Sequence, residues 1–240
     1  MDFFSATFLF AVLQIVVIDI LLSGDNAVVI ALACRRLSPE KRNLGMFWGA
    51  TGAIGLRIML TFFAVGLLSL PYLKLAGGLM LLWIGIKLIL PEPEGSGHEI
   101  NASDNLMGAV KTIIVADFVM SLDNVVGVAG AAKGDVLLLI FGLLVSIPLI
   151  VWSSQMVLKV IDRFPVVVTL GGGLLGYVGG EMLVTDVALQ AWVDAHAHWL
   201  HRVVPVICAA LVIGVGKRMT AKASEKAAGK KELVDLGEGA

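Results

Sequence analysis

Apolar positions along this chain fall into long unbroken runs, with neither the alternation of a half-buried strand nor the single stripe of a surface helix. Charge is nearly absent from these runs, and Gly, Pro and short polar clusters separate them. Seven of them read as helical spans, near residues 5–33, 44–69, 72–90, 106–131, 135–158, 165–184 and 203–217. Most approach the roughly 20 residues that cross a hydrocarbon core of about 30 Å. The seventh, VVPVICAALVIGVGK, is the shortest. Between the third and fourth, PEPEGSGHEINASDN is polar and rich in Gly, Pro and Ser, which reads as a linker over 91–105. The N-terminal MDFFSATF lacks the basic stretch of a cleavable signal peptide, so the first helix is expected to be retained.

Composition agrees with the pattern. Of 240 residues, 58% are hydrophobic and 15% charged, and mean hydropathy is +0.92; soluble domains carry about 45–50% apolar and about 25% charged residues. A soluble enzyme is excluded. So is a nucleic-acid partner, because the net charge is −1 and there is no basic surface domain. Cys34 and Cys208 form no CxxC and no disulfide framework. The expected fold is an all-α polytopic membrane protein lodged in the plasma (inner) membrane, with the lipid bilayer as solvent.

Basic residues set the orientation. With the N-terminus outside, Arg35, Arg36, Lys41 and Arg42 fall in the first inner loop, and Lys87, Lys111, Lys159 and Arg163 flank the next two. The tail 218–240, with Lys217 just before it, adds six more, so 14 of the 18 basic residues lie inside. Only Lys133 and Arg202 lie outside, while Arg57 and Lys74 fall within spans. The C-terminus is therefore expected in the cytoplasm. Its basic tail reads as a disordered positive-inside anchor.

The chain repeats itself. Asp19-Ile-Leu-Leu-Ser-Gly-Asp-Asn26 and Asp117-Phe-Val-Met-Ser-Leu-Asp-Asn124 both read D-x-x-x-S-x-D-N, 98 residues apart. Pro71–Gly78 and Pro165–Gly172 match 94 residues apart, and Trp83-Ile-Gly85 aligns with Tyr177-Val-Gly179. Each copy holds three spans, and an odd number inverts the second copy relative to the first. The organisation is thus a first three-helix repeat (1–90), the linker, a second inverted repeat (106–184), an outer loop (185–202), a seventh helix (203–217) and the tail. Inverted repeats of this kind place a site near mid-membrane where the halves meet.

Asp19, Asp25, Asp117 and Asp123 lie within apolar spans. Each costs about 2.5–3.5 kcal/mol at the bilayer centre, on the order of 10 kcal/mol together if ionised and unpaired. Arg57, the one deeply placed basic residue, cannot neutralise four carboxylates, so protons or a bound cation must contribute. Asp19, Ser23 and Asn26 share one helical stripe at i, i+4 and i+7, with Asp25 about 120° away. Either Asp25 faces another neighbour, or the helix opens at Ser23-Gly24. In the second copy Leu122 replaces the glycine and disfavours a break. Carboxylate, amide and hydroxyl oxygens from Asp19, Asp25, Asn26, Ser23 and from Asp117, Asp123, Asn124, Ser121 form a hard donor set. They suit Mg²⁺, Ca²⁺ or Mn²⁺ over Cu or Zn. Met120 would tilt the choice to Mn²⁺ if its thioether reached the site; packing is the commoner fate of a methionine. The bland alternative is that these polar groups only hold helices together.

Elsewhere, Asp194, His196, His198 and His201 form D-A-H-A-H-W-L-H, either a metal-binding loop or a wet interfacial segment with Trp192 and Trp199 as belt residues. Glu181 is a gate residue or simply faces water. Gly49, Gly52 and Gly55, and Gly171 to Gly173 with Gly176, Gly179 and Gly180, offer small faces for close helix packing. No Walker A sequence is present. No histidine, cysteine or supporting base accompanies the aspartates, so enzymatic activity is not expected.

The duplicated D-x-x-x-S-x-D-N segments at Asp19–Asn26 and Asp117–Asn124, in a three-plus-three inverted repeat, resemble the TerC family of integral membrane proteins. The short form with a seventh helix resembles its YjbE-type branch, over nearly the whole chain except the tail. The resemblance implies export of divalent metal, Mn²⁺ above all, with the metal-site positions at Asp19, Asp25, Asp117 and Asp123 beside Asn26 and Asn124. The expected function is therefore a Mn²⁺ exporter with its site between the first and fourth spans, with exchange for protons as a natural coupling. No cofactor is expected, since the metal is cargo. The alternatives are a non-transporting scaffold for membrane-protein insertion or stress complexes, and an exporter of a small organic solute whose carboxylate would need Arg57.

Overall fold

A computed structural model describes the backbone of residues 6–22, 24–68, 70–90, 102–132 and 135–238, with side chains described over most of that range. Among these residues the fold is entirely helical: α1 Ala6–Leu22, α2 Gly24–Cys34, α3 Pro39–Leu68, α4 Leu73–Ile89, α5 Ala102–Ala132, α6 Val136–Arg163, α7 Val166–Val184, α8 Val187–His196 and α9 Leu200–Glu238. Four of them are long and apolar enough to cross a membrane, over Pro39–Phe63, Val136–Arg163, Val166–Val184 and Leu200–Ala223. A fifth crossing results if the Phe8–Asp19 and Gly24–Cys34 helices, bent by 59°, count as one broken span. The α4 helix, at 17 residues, is a little short of the usual spanning length. Large apolar side chains such as Phe10, Phe62, Phe63, Trp83, Leu137, Trp152 and Leu170 point outward, as they do where lipid is the solvent.

Two sequence expectations are revised at the C-terminal end. The segment expected to be an outer loop contains a helix, α8, with Asp186 as its N-cap accepting from the Ala188 N–H at 2.8 Å. The polar segment expected to be disordered continues α9 to Glu238. Its run of Ala, Lys and Glu has high helix propensity, which favours extending a helix already nucleated in the apolar part.

Packing follows a crossed pattern. The α3 helix lies along α5, α6 lies along α1 and α2, and α4 packs on α7, with α9 against both. Two close approaches join α4 to α7. A Cβ on Gly78 would sit 2.6 Å from the Gly179 carbonyl oxygen, and one on Gly172 would sit 3.1 Å from that of Gly85. The backbones touch there with no side chain between them. Gly49 and Gly52 draw α3 onto Ile113 and Ile114 of α5, as expected, but Gly55 faces open space. Helix ends are tied at two faces. At one, Arg35 donates to the Leu88 carbonyl at 2.8 Å, Arg36 to that of Leu90, and Arg42 pairs with Asp162 at 2.9 Å. At the other, buried Asp186 accepts from the Tyr72 and Leu75 N–H groups at 2.9 and 3.1 Å.

Candidate metal centre

The acidic motifs meet at the middle of the bundle. Asp19 on α1 is fully buried, Asp117 on α5 nearly so, and between them lies Arg57 of α3, only 1% exposed. One guanidinium serves both acids. Arg57 Nη1 pairs with Asp19 Oδ1, Nη2 donates to Asp117 Oδ1 at 2.5 Å, and Nε donates to Ser121 Oγ at 3.0 Å. Ser121 Oγ donates in turn to Asp117 Oδ2 at 3.0 Å, and Asn26 Nδ2 donates to Asp117 Oδ1 at 2.5 Å.

Local sequence explains the placement. The missing side chains of Gly49 and Gly52 let α3 close on Ile113 and Ile114 of α5, one to two turns before Arg57. The long arginine stem can then reach across to Asp117 and Ser121, one helical turn apart. On the first motif the chain breaks between α1 and α2, as the glycine at 24 allows. The break puts Asp25 in the first turn of α2, where unpaired N–H groups favour a negative charge. The second motif, with Leu122 in place of the glycine, lies within unbroken α5. In the first motif the helices on either side, Phe8–Asp19 and Gly24–Cys34, meet at 59°.

Three buried oxygens at this centre have no hydrogen-bond partner: Asp19 Oδ2, Asp25 Oδ1 and Asn26 Oδ1. Leaving a buried acceptor unmet costs about 1–3 kcal/mol, more for a charged group, so unmet oxygens from three neighbouring residues are a chemical demand. A cavity of about 10 Å³ adjoins the centre, lined by Asn26, Val29, Ile30, Ile113 and Asp117. It is about the size of one water molecule. Farther along the same α2–α5 seam, a groove of about 570 Å³ opens among Ala33, Leu37, Trp83, Ala109 and the cationic Arg36, Lys87 and Lys111.

The structure thus brings Asp19, Asn26, Asp117 and Ser121 into one hydrogen-bonded cluster, with Asp25 half-buried beside it. Asn124 is half-buried three residues beyond Ser121. Ser23 and the Asp123 side chain lie outside the described residues. Met120 packs within the apolar core. Sequence reasoning noticed Arg57 without placing it in the site; its depth in a span that must pass near buried carboxylates was the signal. Asp186 was missed, although an Asp directly before a helical run is an N-cap signature. Burial pulls the Asp186 carboxyl upward, but N–H groups of Ala188, Tyr72, Leu75 and Lys74 outweigh it and hold it below the usual carboxylate value.

The chain is similar to known integral membrane proteins. The profile described as "Integral membrane protein TerC family" matches residues 4–225. The "Uncharacterized membrane protein YjbE" of Bacillus subtilis is 42% identical over 206 residues, covering 86% of this chain and 93% of that protein. The "Uncharacterized membrane protein YceF" of the same organism is 25% identical, covering 70% and 68%. The "UPF0053 inner membrane protein YgdQ" of Escherichia coli is 22% identical, covering 70% and 77%. No solved structure matches significantly.

Proposed function

This chain belongs to the TerC family of integral membrane proteins, and from that premise we propose that it exports a divalent metal cation, Mn²⁺ foremost, through the acidic centre. The observation that carries the reading is a charge mismatch among the described residues. Asp19, Asp25 and Asp117 supply three carboxylates against the single guanidinium of Arg57, and the three orphaned atoms are all hard oxygens. A dication supplies the missing two charges and the missing ligands together. In the empty protein Arg57 acts as an internal cation. An arriving metal competes with it for Asp19 and Asp117, and Arg57 returns when the metal leaves. Asn26 and Ser121 orient Asp117 throughout. The donor set favours Mn²⁺, Mg²⁺ or Ca²⁺ over softer metals; the choice of Mn²⁺ and of export leans on the family resemblance, and proton exchange is its natural coupling.

Seven crossings in two inverted repeats, with the N-terminus outside, complete the proposal. Reciprocal contacts support the inversion: the 94-residue offset carries Gly78 to Gly172 and Gly85 to Gly179, so it turns the Gly78–Gly179 contact into the Gly172–Gly85 contact. The helix-end ties support the threading. They join the ends of α2, α4 and α6 and the start of α3 at one face, and the start of α4 and the end of α7 at the other. The basic loops favour the first of these faces as cytoplasmic.

A second reading draws on the closed geometry. With Arg57 fully engaged and only about 10 Å³ free beside it, the cluster is also a suitable device for fixing helix register in a scaffold. The same engagement of Arg57 disfavours an organic anion as cargo. Uptake of Mn²⁺ into inverted vesicles, comparing the native chain with Asp19→Asn and Asp117→Asn, separates the two readings. Flux lost in both variants at normal insertion supports export, whereas no flux above empty vesicles in the native chain supports the scaffold.

A further inference from the structure

We propose that Asp194, His198 and His201 form a second cation site, at the turn joining α8 to α9, that takes a borderline first-row dication with Zn²⁺ as its reference ligand. One ligand atom from each lies within 4.8 Å of the other two. His201 Nε2 stands 2.7 Å from Asp194 Oδ1, and the His198 and His201 rings are 5.3 Å apart between centroids. Donors around a tetrahedral Zn²⁺ lie about 3.3 Å apart, given metal–ligand bonds of about 2.0–2.2 Å. The Asp194–His201 pair therefore opens by about half an ångström when a metal replaces the direct contact, and the His198 ring swings in. Both motions are accessible, since Asp194 and His198 are exposed.

The backbone beneath them is held. The Ala197 N–H donates to the Val193 carbonyl at 2.8 Å, and the Leu200 N–H to that of Ala197 at 2.8 Å. Val193 and Ala197 are buried. The three ligands thus project from a fixed eight-residue turn, so little chain entropy is lost on binding. His196, the remaining histidine of the segment, is engaged elsewhere. It stacks on Trp192 at 5.6 Å, with Nδ1 3.2 Å from the Trp192 carbonyl oxygen.

Two imidazoles and one carboxylate leave coordination positions open to water, and they select for Zn²⁺ or Co²⁺ over Mg²⁺ and Ca²⁺. The central site, all oxygen in its unmet donors, has the opposite preference. The turn site stands whether or not the centre transports metal. On the proposed orientation it faces the outside.

The test is Zn²⁺ titration of the untagged full chain in nanodiscs, by competition with a chromophoric chelator in excess Mg²⁺. His198→Ala removes one ligand and leaves the Asp194–His201 contact in place, while His196→Ala is the control. We expect one Zn²⁺ per native chain, weakened at least about tenfold in His198→Ala and unchanged in His196→Ala. Co²⁺ in place of Zn²⁺ should show a visible absorption band that His198→Ala diminishes and His196→Ala does not. Native affinity in His198→Ala, equal loss in both variants, or no Zn²⁺ retained against Mg²⁺ would each overturn the site and leave a hydrogen bond that merely closes the turn. Vesicle flux of Mn²⁺ reads the central site separately, so failure of one proposal is distinguishable from failure of the other.

Discussion

Replacing Arg57 by methionine tests the internal-cation argument directly. Methionine keeps much of the unbranched stem and removes every donor, leaving Asp19 and Asp117 buried with no guanidinium between them. Removing one partner of a buried ion pair costs about 3–5 kcal/mol, because the other charge stays behind uncompensated. At roughly 2–4 °C per kcal/mol for a chain of this size, melting in nanodiscs with chelator present should fall by roughly 6–20 °C. A metal that binds only the folded state restores about 2.7 kcal/mol at one hundred times its dissociation constant. In the native chain part of that gain is spent displacing Arg57; in the variant none is. Mn²⁺ should therefore raise the melting temperature of Arg57→Met by more than that of the native chain. Neutralising the acids as well, in Arg57→Met with Asp19→Asn and Asp117→Asn, should recover much of the loss and abolish the response to Mn²⁺. A single variant that melts like the native chain in chelator, or one that melts low and ignores Mn²⁺, would refute the reasoning.

Three further outcomes are expected. Gly78→Ala drives a Cβ against the Gly179 carbonyl, a backbone atom with no rotamer to yield, and should cost about 1–3 kcal/mol; Gly55→Ala meets nothing and should be neutral or up to about 1 kcal/mol stabilising, both read from thermal melts. Asp186→Ala should cost about 1–3 kcal/mol by stranding the N–H groups at the starts of α4 and α8. Because the folded Asp186 carboxyl lies below its ordinary value of 3.8, its contribution is whole above that value and drains away as pH falls through the folded one. Asp186→Asn should flatten that acid limb of the stability–pH curve and leave the alkaline side unchanged. Asn26→Ala removes a donor to Asp117 and an unmet oxygen together, so it should weaken Mn²⁺ binding at the centre about tenfold or more, measured by electron paramagnetic resonance titration.

Much of this was legible because the bilayer simplifies the code. Uncharged runs give helices, and a duplicated acid motif in two of them gives a candidate site. Gly24 against Leu122 marks which copy is the freer to bend, and the 59° bend lies in the first. The sequence was silent where the answer lay in three-dimensional pairing. Nothing local to Arg57 says that it reaches two acids 38 and 60 residues away, or that Gly55 looks outward while Gly49 and Gly52 face α5. Asp186 holds α4, whose start lies more than a hundred residues earlier, and only the folded chain brings them together. The extension of α9 is hidden for a different reason: its polar composition is that of a disordered tail, although Ala, Lys and Glu are good helix formers once a helix is under way.

The double backbone contact between α4 and α7 has a consequence for motion. Helices separated by side chains can slide, because rotamers exchange as ridges move through grooves. Helices touching at Gly78–Gly179 and again at Gly85–Gly172 have no such lubricant, since any axial slip drives a carbonyl into a neighbouring Cα. With Asp186 pinning one end, α4 and α7 form a keel. Whatever moves in this molecule must move against that keel, and α1 and α2, which carry Asp19, Asp25 and Asn26, pack chiefly on α6 and α5 rather than on it.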